Sequence, residues 1–298
     1  DIDVIHFLEI EYFAFFIILP IIKFKKKPVV VLIHTGNFNF SSNNPILGLY
    51  KFISKYLVKT ILNNVSIIIV HSDVIKKSLI DSLNLKIKNI HKIHITNYGT
   101  EPIVVMPNRQ ESLKILGLQR IKKKIVLFFG NVRMDKGIFE LLKLNHFNRM
   151  DNYILLIAGK LTGIDKDKFY KLIEENSNII FHEGFIDENK IKHYYNVAEY
   201  LILPYHNYFI SASGPLTLSL TYRTPVICSQ AKHIKNFVEK YNIGLSFDLY
   251  NENSFRDTIE YALKTEKENY YNNFDEAIIG NTWQDMVNSL IQIYNTLL

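Results

Sequence analysis

Ten short runs of consecutive apolar residues punctuate the chain, and between most of them apolar positions recur at helical spacing. The runs lie at 3–8, 28–35, 66–72, 92–98, 124–130, 153–159, 179–185, 200–205, 225–229 and 244–248. Their side chains do not alternate between apolar and polar, as they would in a strand with one wet face. Continuous runs mark strands covered by helices on both sides, and the intervening stretches have the length of crossovers. The pattern therefore predicts an α/β fold with parallel sheets.

The stretch GTEPIVVMPNRQE (99–111) has two prolines and no period, and it separates four predicted strands from six. This predicts two Rossmann-like domains, at 1–108 and 109–275, followed by a closing segment at 276–298. The second is doubly wound and complete by strand count. The first begins abruptly on a strand and reads as incomplete at its N-terminal side. In the closing segment Trp283, Met286, Leu290, Ile293 and Leu297 fall at helical spacing, a packing face of a final helix.

Composition narrows the partners. The 298 residues are 48% hydrophobic, enough for large cores, and carry a formal charge of +6 with a pI near 9.0. That balance favours anionic ligands. No basic stripe interleaved with aromatic residues appears, so nucleic acid is not an expected partner. Cys228 is the single cysteine, which excludes a disulfide framework and points to a reducing, cytoplasmic compartment. The run YFAFFIILPII (12–22) is too short to span a bilayer, and KFKKK (23–27) follows it. Two readings stand: a core helix ending in a solvated basic turn, or a helix lying on an anionic membrane surface, peripheral on its inner face.

Ligands of open parallel sheets bind beyond the carboxyl ends of the strands. After the run at 124–130 comes GNVRMDKG (130–137), a glycine-bounded loop carrying Arg133 and Lys136 before a helix. Two cations beside a helix N-terminus suit a phosphate. After the run at 200–205 comes SASGPLTLSL (211–220), in which Ser213 can cap a helix, Gly214 leaves its amide uncovered and Pro215 suits the first turn. Such a start binds an anion through the backbone and needs no titratable group. Two such segments suggest the two phosphates of a diphosphate. His34, at the end of the run at 28–35, is placed to act as an acid, a base or an orienting group, whereas His71 reads as structural. The remaining histidines show no metal-ligand spacing, so no metal is expected and no cofactor beyond the substrate itself.

In order along the chain, DIDVIHFL, VVVLIHTGNF, SIIIVHSDVIKKSL, HITNYGTEPI, LFFGNVRMDKGIFELLKL, NIIFHEGFIDENKIKHYYNVAEYLILPY, RTPVICS and TWQDMVNSLIQIY resemble successive motifs of the GT-B glycosyltransferases, specifically glycosyltransferase family 4. The resemblance implies two Rossmann-like domains facing a cleft, with a nucleotide-sugar donor bound mainly by the second. It implies that Lys136 and, after a shift of two places, Arg133 bind the donor diphosphate with Ser213 and Gly214. Asn131, which stands at the family's usual arginine position, and Gly130 beside it are expected to bind the nucleotide. Phe185 and Ile186 fall on the loop that meets the nucleotide base, and His34 matches the histidine facing the donor sugar. The family's paired glutamates are absent: Ile210 and Leu218 occupy their places, as in a subgroup whose helix starts with Ser-Gly.

The implied activity is hexosyl transfer from a UDP- or GDP-sugar to a glycan or lipid-linked acceptor, in polysaccharide or glycoconjugate synthesis. Retaining and inverting chemistry both stay open. A nucleotide-sugar epimerase would need further cleft carboxylates that the sequence does not offer. A non-catalytic nucleotide-sugar-binding protein or partner subunit is the alternative that the missing glutamates and the short first domain favour.

Overall fold

A computed structural model describes residues 2–24, 26–36, 38, 45–148 and 152–298. Residues 37 and 39–44, after the run that ends on His34 and Thr35, therefore lie outside the described residues, as does Lys25 of the basic run. The strands are β1 (Ile5–Phe7), β2 (Val29–Leu32), β3 (Ile67–Val70), β4 (Ile93–Ile95), β5 (Lys124–Phe129), β6 (Tyr153–Gly159), β7 (Ile179–Glu183), β8 (Tyr200–Leu203), β9 (Val226–Cys228) and β10 (Gly244–Ser246). Each falls inside one of the apolar runs. All their pairings are parallel.

The chain forms two compact units. One comprises residues 1–99, 210–212 and 280–298, the other 100–209 and 213–279. In the first unit the sheet order is β1-β2-β3-β4. Right-handed crossovers between strands in sequential order place every connecting helix on one face. That face buries Val29, Val31, Ile68 and Val70 against Phe15 and Leu19 of helix Tyr12–Phe24, Val58 and Ile61 of helix Pro45–Asn64, and Ile75 and Leu79 of helix Asp73–Leu83.

Period-two alternation leaves Val30, Leu32, Ile67 and Ile69 on the opposite face. These pack against Met286, Leu290 and Ile293 of the closing helix, Trp283–Asn295. A capping box starts that helix: Thr282 Oγ1 accepts from the Asp285 amide at 3.1 Å, and the Asp285 carboxylate accepts from the Thr282 amide at 3.0 Å. The closing helix thus covers the face that the connecting helices leave bare.

The second unit has the order β10-β9-β8-β5-β6-β7. Read from β7, this is the doubly wound order in which the chain builds outward on one side and then returns to build on the other. The reversal falls between β5 and β8. Ile125, Val126 and Leu127 of β5 and Leu201 of β8 are completely buried, as continuous apolar runs require.

Candidate functional site

In the second unit the loops leaving β5 and β8 emerge side by side at the switch point, where doubly wound sheets bind ligands. Leaving β5, Gly130 turns the chain with φ +96°. Arg133 stays extended, Met134–Lys136 makes one 3₁₀ turn, and Gly137 ends it at φ +66° with its amide donating to the Met134 carbonyl. A Cβ on Gly137 would lie 1.8 Å from the carbonyl oxygen of Pro204, so glycine is required by both its dihedral and the close approach of the β8 exit. Helix Ile138–Asn148 follows.

This path turns Lys136 inward, and it is buried. Its Nζ lies 5.4 Å from the centroid of the Tyr205 ring, and the Tyr205 hydroxyl is 3.4 Å from Ser213 Oγ. Lys136 forms no ion pair with any described residue. Burial, then the neighbouring Arg133 charge, lowers its pKa from 10.5 to about 8, while Asp135 opposes the shift. Lys136 is thus a desolvated cation without a direct counter-ion. Arg133 differs from it: its Nε donates to Asp135 at 2.9 Å and its Nη2 pairs with the same carboxylate at 2.5 Å. Its charge is largely met within the loop, through a residue the sequence reading passed over.

Ser213 caps helix Gly214–Thr221 by accepting from the Leu216 amide at 3.4 Å. Pro215 has no N–H, and its carbonyl accepts from Tyr195 at 3.2 Å. The geometry joins the two segments. The point where a Cβ on Gly130 would sit is 3.5 Å from Lys136 Nζ and 3.5 Å from Pro215 Cγ, so the ammonium lies within 7 Å of the helix's first turn. Gly130, Lys136, Ser213 and Gly214 therefore share one rim of the sheet.

A second cluster fastens the same loop. The His206 amide donates to the Asp135 carbonyl at 3.2 Å, its Nε2 sits 3.2 Å from Glu140, and its Nδ1 is 2.8 Å from the Tyr250 hydroxyl. The hydrogen bond from His206 lowers the Glu140 pKa. Asn131 is exposed at the loop's outer edge. Phe185 and Ile186 follow edge strand β7, two strands from β5 at the same sheet end, roughly 10 Å away by strand spacing. Phe185 is 92% exposed, while Ile186 packs on the core. Leu218 also packs on that core, and Ile210 on the core of the first unit, so the places of the family's two glutamates are packing positions here.

In the first unit His34 follows β2. Its Nε2 lies 3.1 Å from the Leu8 carbonyl, beyond β1, and its Nδ1 lies 3.2 Å from Nε2 of His71, beyond β3. The Nδ1 of His71 lies 3.3 Å from the Thr96 carbonyl, beyond β4. A polar chain thus crosses all four strand tips. Three contacts need three ring protons, and two neutral imidazoles supply two. Burial, then the charge of His34, lowers the His71 pKa to about 4, so His71 is a neutral ring with Nδ1–H directed at Thr96. Its Nε2 is then an acceptor, and a neutral His34 has one proton for two contacts, at Nδ1 towards His71 or at Nε2 towards the Leu8 carbonyl. His71, read as structural from the sequence, is the direct partner of the candidate histidine. No local motif signals this, because residues 34 and 71 meet only through strand pairing.

Residues 109–279 match the family model described as Glycosyl transferases group 1, over more than half of the chain, and the chain belongs to that family. No curated protein matches it. Solved structures of GT-B glycosyltransferases share its fold. A sucrose-phosphate synthase from Thermosynechococcus elongatus is 18% identical, with a TM-score of 0.80 over 99% of this chain and 73% of the other. A UDP-forming α,α-trehalose-phosphate synthase from Burkholderia xenovorans is 11% identical, with a TM-score of 0.76 over 99% and 74%. Anabaena HepE, in complex with UDP and glucose, is 13% identical, with a TM-score of 0.76 over 99% and 77%. The fold class is GT-B, with two Rossmann-like units.

Proposed function

We propose that this glycosyl transferase takes a hexose from a UDP- or GDP-sugar and passes it to a hydroxyl of a glycan or lipid-linked acceptor, in polysaccharide or glycoconjugate synthesis on the cytoplasmic side of a membrane. One observation carries the donor half of the reading: Lys136, a buried cation with no counter-ion among the described residues, faces the first turn of helix Gly214–Thr221 at the switch point of the second unit. A diphosphate there completes both groups. It supplies the negative charge Lys136 lacks and accepts from the Gly214 amide, which no intrahelical bond uses.

As the bond from sugar to phosphate breaks, charge builds on the leaving diphosphate. Lys136 and the helix start stabilise it without rearranging, the largest electrostatic contribution such a site can make. Arg133 joins by turning from Asp135 towards the second phosphate. Gly130 and Asn131 line the entry, and the backbone of Phe185 and Ile186 meets the base. His34, held between the Leu8 carbonyl and His71, orients the sugar or the attacking hydroxyl. The absence of the glutamate pair supports a second reading, a nucleotide-sugar-binding protein without transfer.

Titration with UDP and GDP, paired with an assay for free nucleotide on a panel of UDP- and GDP-sugars, tests both. Binding that Lys136→Ala abolishes, with nucleotide release from one donor, supports transfer. Binding without release from every donor supports the second reading. Binding that ignores Lys136→Ala overturns both.

A further inference from the structure

The entire positive balance of this chain falls in one stretch. Residues 12–72 contain seven lysines and no aspartate or glutamate, a charge of +7 against +6 for the whole protein. That stretch includes helices Tyr12–Phe24 and Pro45–Asn64, which lie side by side in the first unit.

Both helices expose several large apolar side chains. Among the described side chains of helix Tyr12–Phe24, only Phe15 and Leu19 are buried, while Ile17 is 73% and Phe24 84% exposed. A helix this apolar on all sides is normally enclosed. In helix Pro45–Asn64, Leu57, Val58 and Ile61 face the core, while Leu49, Phe52 and Tyr56 are exposed at i, i+3 and i+7. The two exposed faces join at a stacked pair, Phe13 on Tyr50, with centroids 5.6 Å apart. Lys26 and Lys27 are exposed at the end of the first helix, and Lys51 and Lys55 interleave with the apolar positions of the second. Contiguous exposed apolar patches on a monomer mark interaction surfaces. Among the described residues, no helix is long and apolar enough to cross a membrane.

We propose that this two-helix face docks the protein on the surface of an anionic phospholipid bilayer. The exposed apolar side chains enter the boundary between headgroups and acyl chains while the lysines meet lipid phosphates. A protein partner would serve the apolar residues equally well. Within both helices there is no acidic side chain, Glu11 capping the first from just outside it, which favours a uniformly anionic surface over a protein face of mixed charge. The sequence reading offered the first helix alone, as one of two alternatives. The structure adds the second helix and the seam between them, and it leaves the core-helix reading with only a narrow buried stripe.

The test is sedimentation of the full chain with vesicles of phosphatidylcholine, alone or with about one third phosphatidylglycerol. The expected result is binding to the anionic vesicles that high salt weakens, and little binding to neutral ones. Ile17→Ser with Phe52→Ser should weaken it at least about tenfold, and Lys26→Gln with Lys27→Gln by about 10–30-fold, at roughly 1 kcal/mol per lysine. UDP binding should stay unchanged in both variants, which shows that they remain folded and separates this proposal from the donor-site reading. No binding to anionic vesicles overturns the proposal. So does a dimer in solution that Ile17→Ser with Phe52→Ser converts to monomer without any vesicle binding, since the face would then belong to a second copy.

Discussion

Replacing Lys136 by methionine should make the nucleotide-free protein more stable while weakening its affinity for donor. Methionine keeps the length and apolar stem of lysine and deletes the charge. In the folded chain that charge is desolvated, and its pKa falls from 10.5 to about 8. A difference of about 2.5 units corresponds to roughly 3 kcal/mol of folding free energy, since each unit is worth about 1.4 kcal/mol. The Tyr205 ring beneath the ammonium returns about 0.5–2 kcal/mol. The net gain expected at pH 7 is therefore about 1–3 kcal/mol.

The sign follows from proton binding. Below about pH 8 both folded and unfolded chains carry the proton, so the whole penalty is present. Between about 8 and 10.5 the folded chain loses its proton first, and the penalty shrinks as pH rises. The advantage of Lys136→Met should therefore be largest at pH 7 and vanish near the upper end of that window. Loss of a charge-assisted contact should weaken UDP binding by about 10–100-fold. Denaturant melts of both proteins at the two pH values, with UDP titrations at pH 7, measure all of this. A variant less stable than the parent at pH 7 would show that the Lys136 charge is not a burden on the fold, and one binding UDP undiminished would remove Lys136 from the donor site.

Further outcomes follow from the same structure. Gly137→Ala places a methyl against the Pro204 carbonyl at positive φ, and should cost at least about 3 kcal/mol in urea melts and abolish UDP binding. Leu290→Ala removes cover from the bare face of the first sheet and should cost about 2–4 kcal/mol, read as earlier unfolding of the first unit. His71 should stay neutral with its proton on Nδ1 until near pH 4. Because the unfolded chain takes up that proton near 6.5, stability should fall by roughly 2–3 kcal/mol as pH drops through this interval. Nitrogen-15 NMR reads the tautomer, and a His71 that titrates near 6.5 disproves the proton count. The Cys228 thiol, pushed up to about 12 chiefly by burial, should resist alkylation until the protein unfolds.

Much of this protein was legible in one dimension. Every strand lies within an apolar run, because burial on both faces leaves a local signature that does not depend on which strand pairs with which. The glycine-bounded loop with Lys136 and the Ser-Gly-Pro helix start were likewise readable, since turns and caps impose their residue types locally. Order along a sheet has no such signature. That β8 returns beside β5, across 70 residues of intervening chain, is a choice made by packing, and it alone brings Lys136 to the Gly214 helix. The pairing of Arg133 with Asp135, the polar chain from Leu8 to Thr96 and the burial that strips Lys136 of water were decided in the same way. Residue chemistry is written along the chain, but a pKa or a binding site depends on which groups three dimensions press together, and on how much water they exclude.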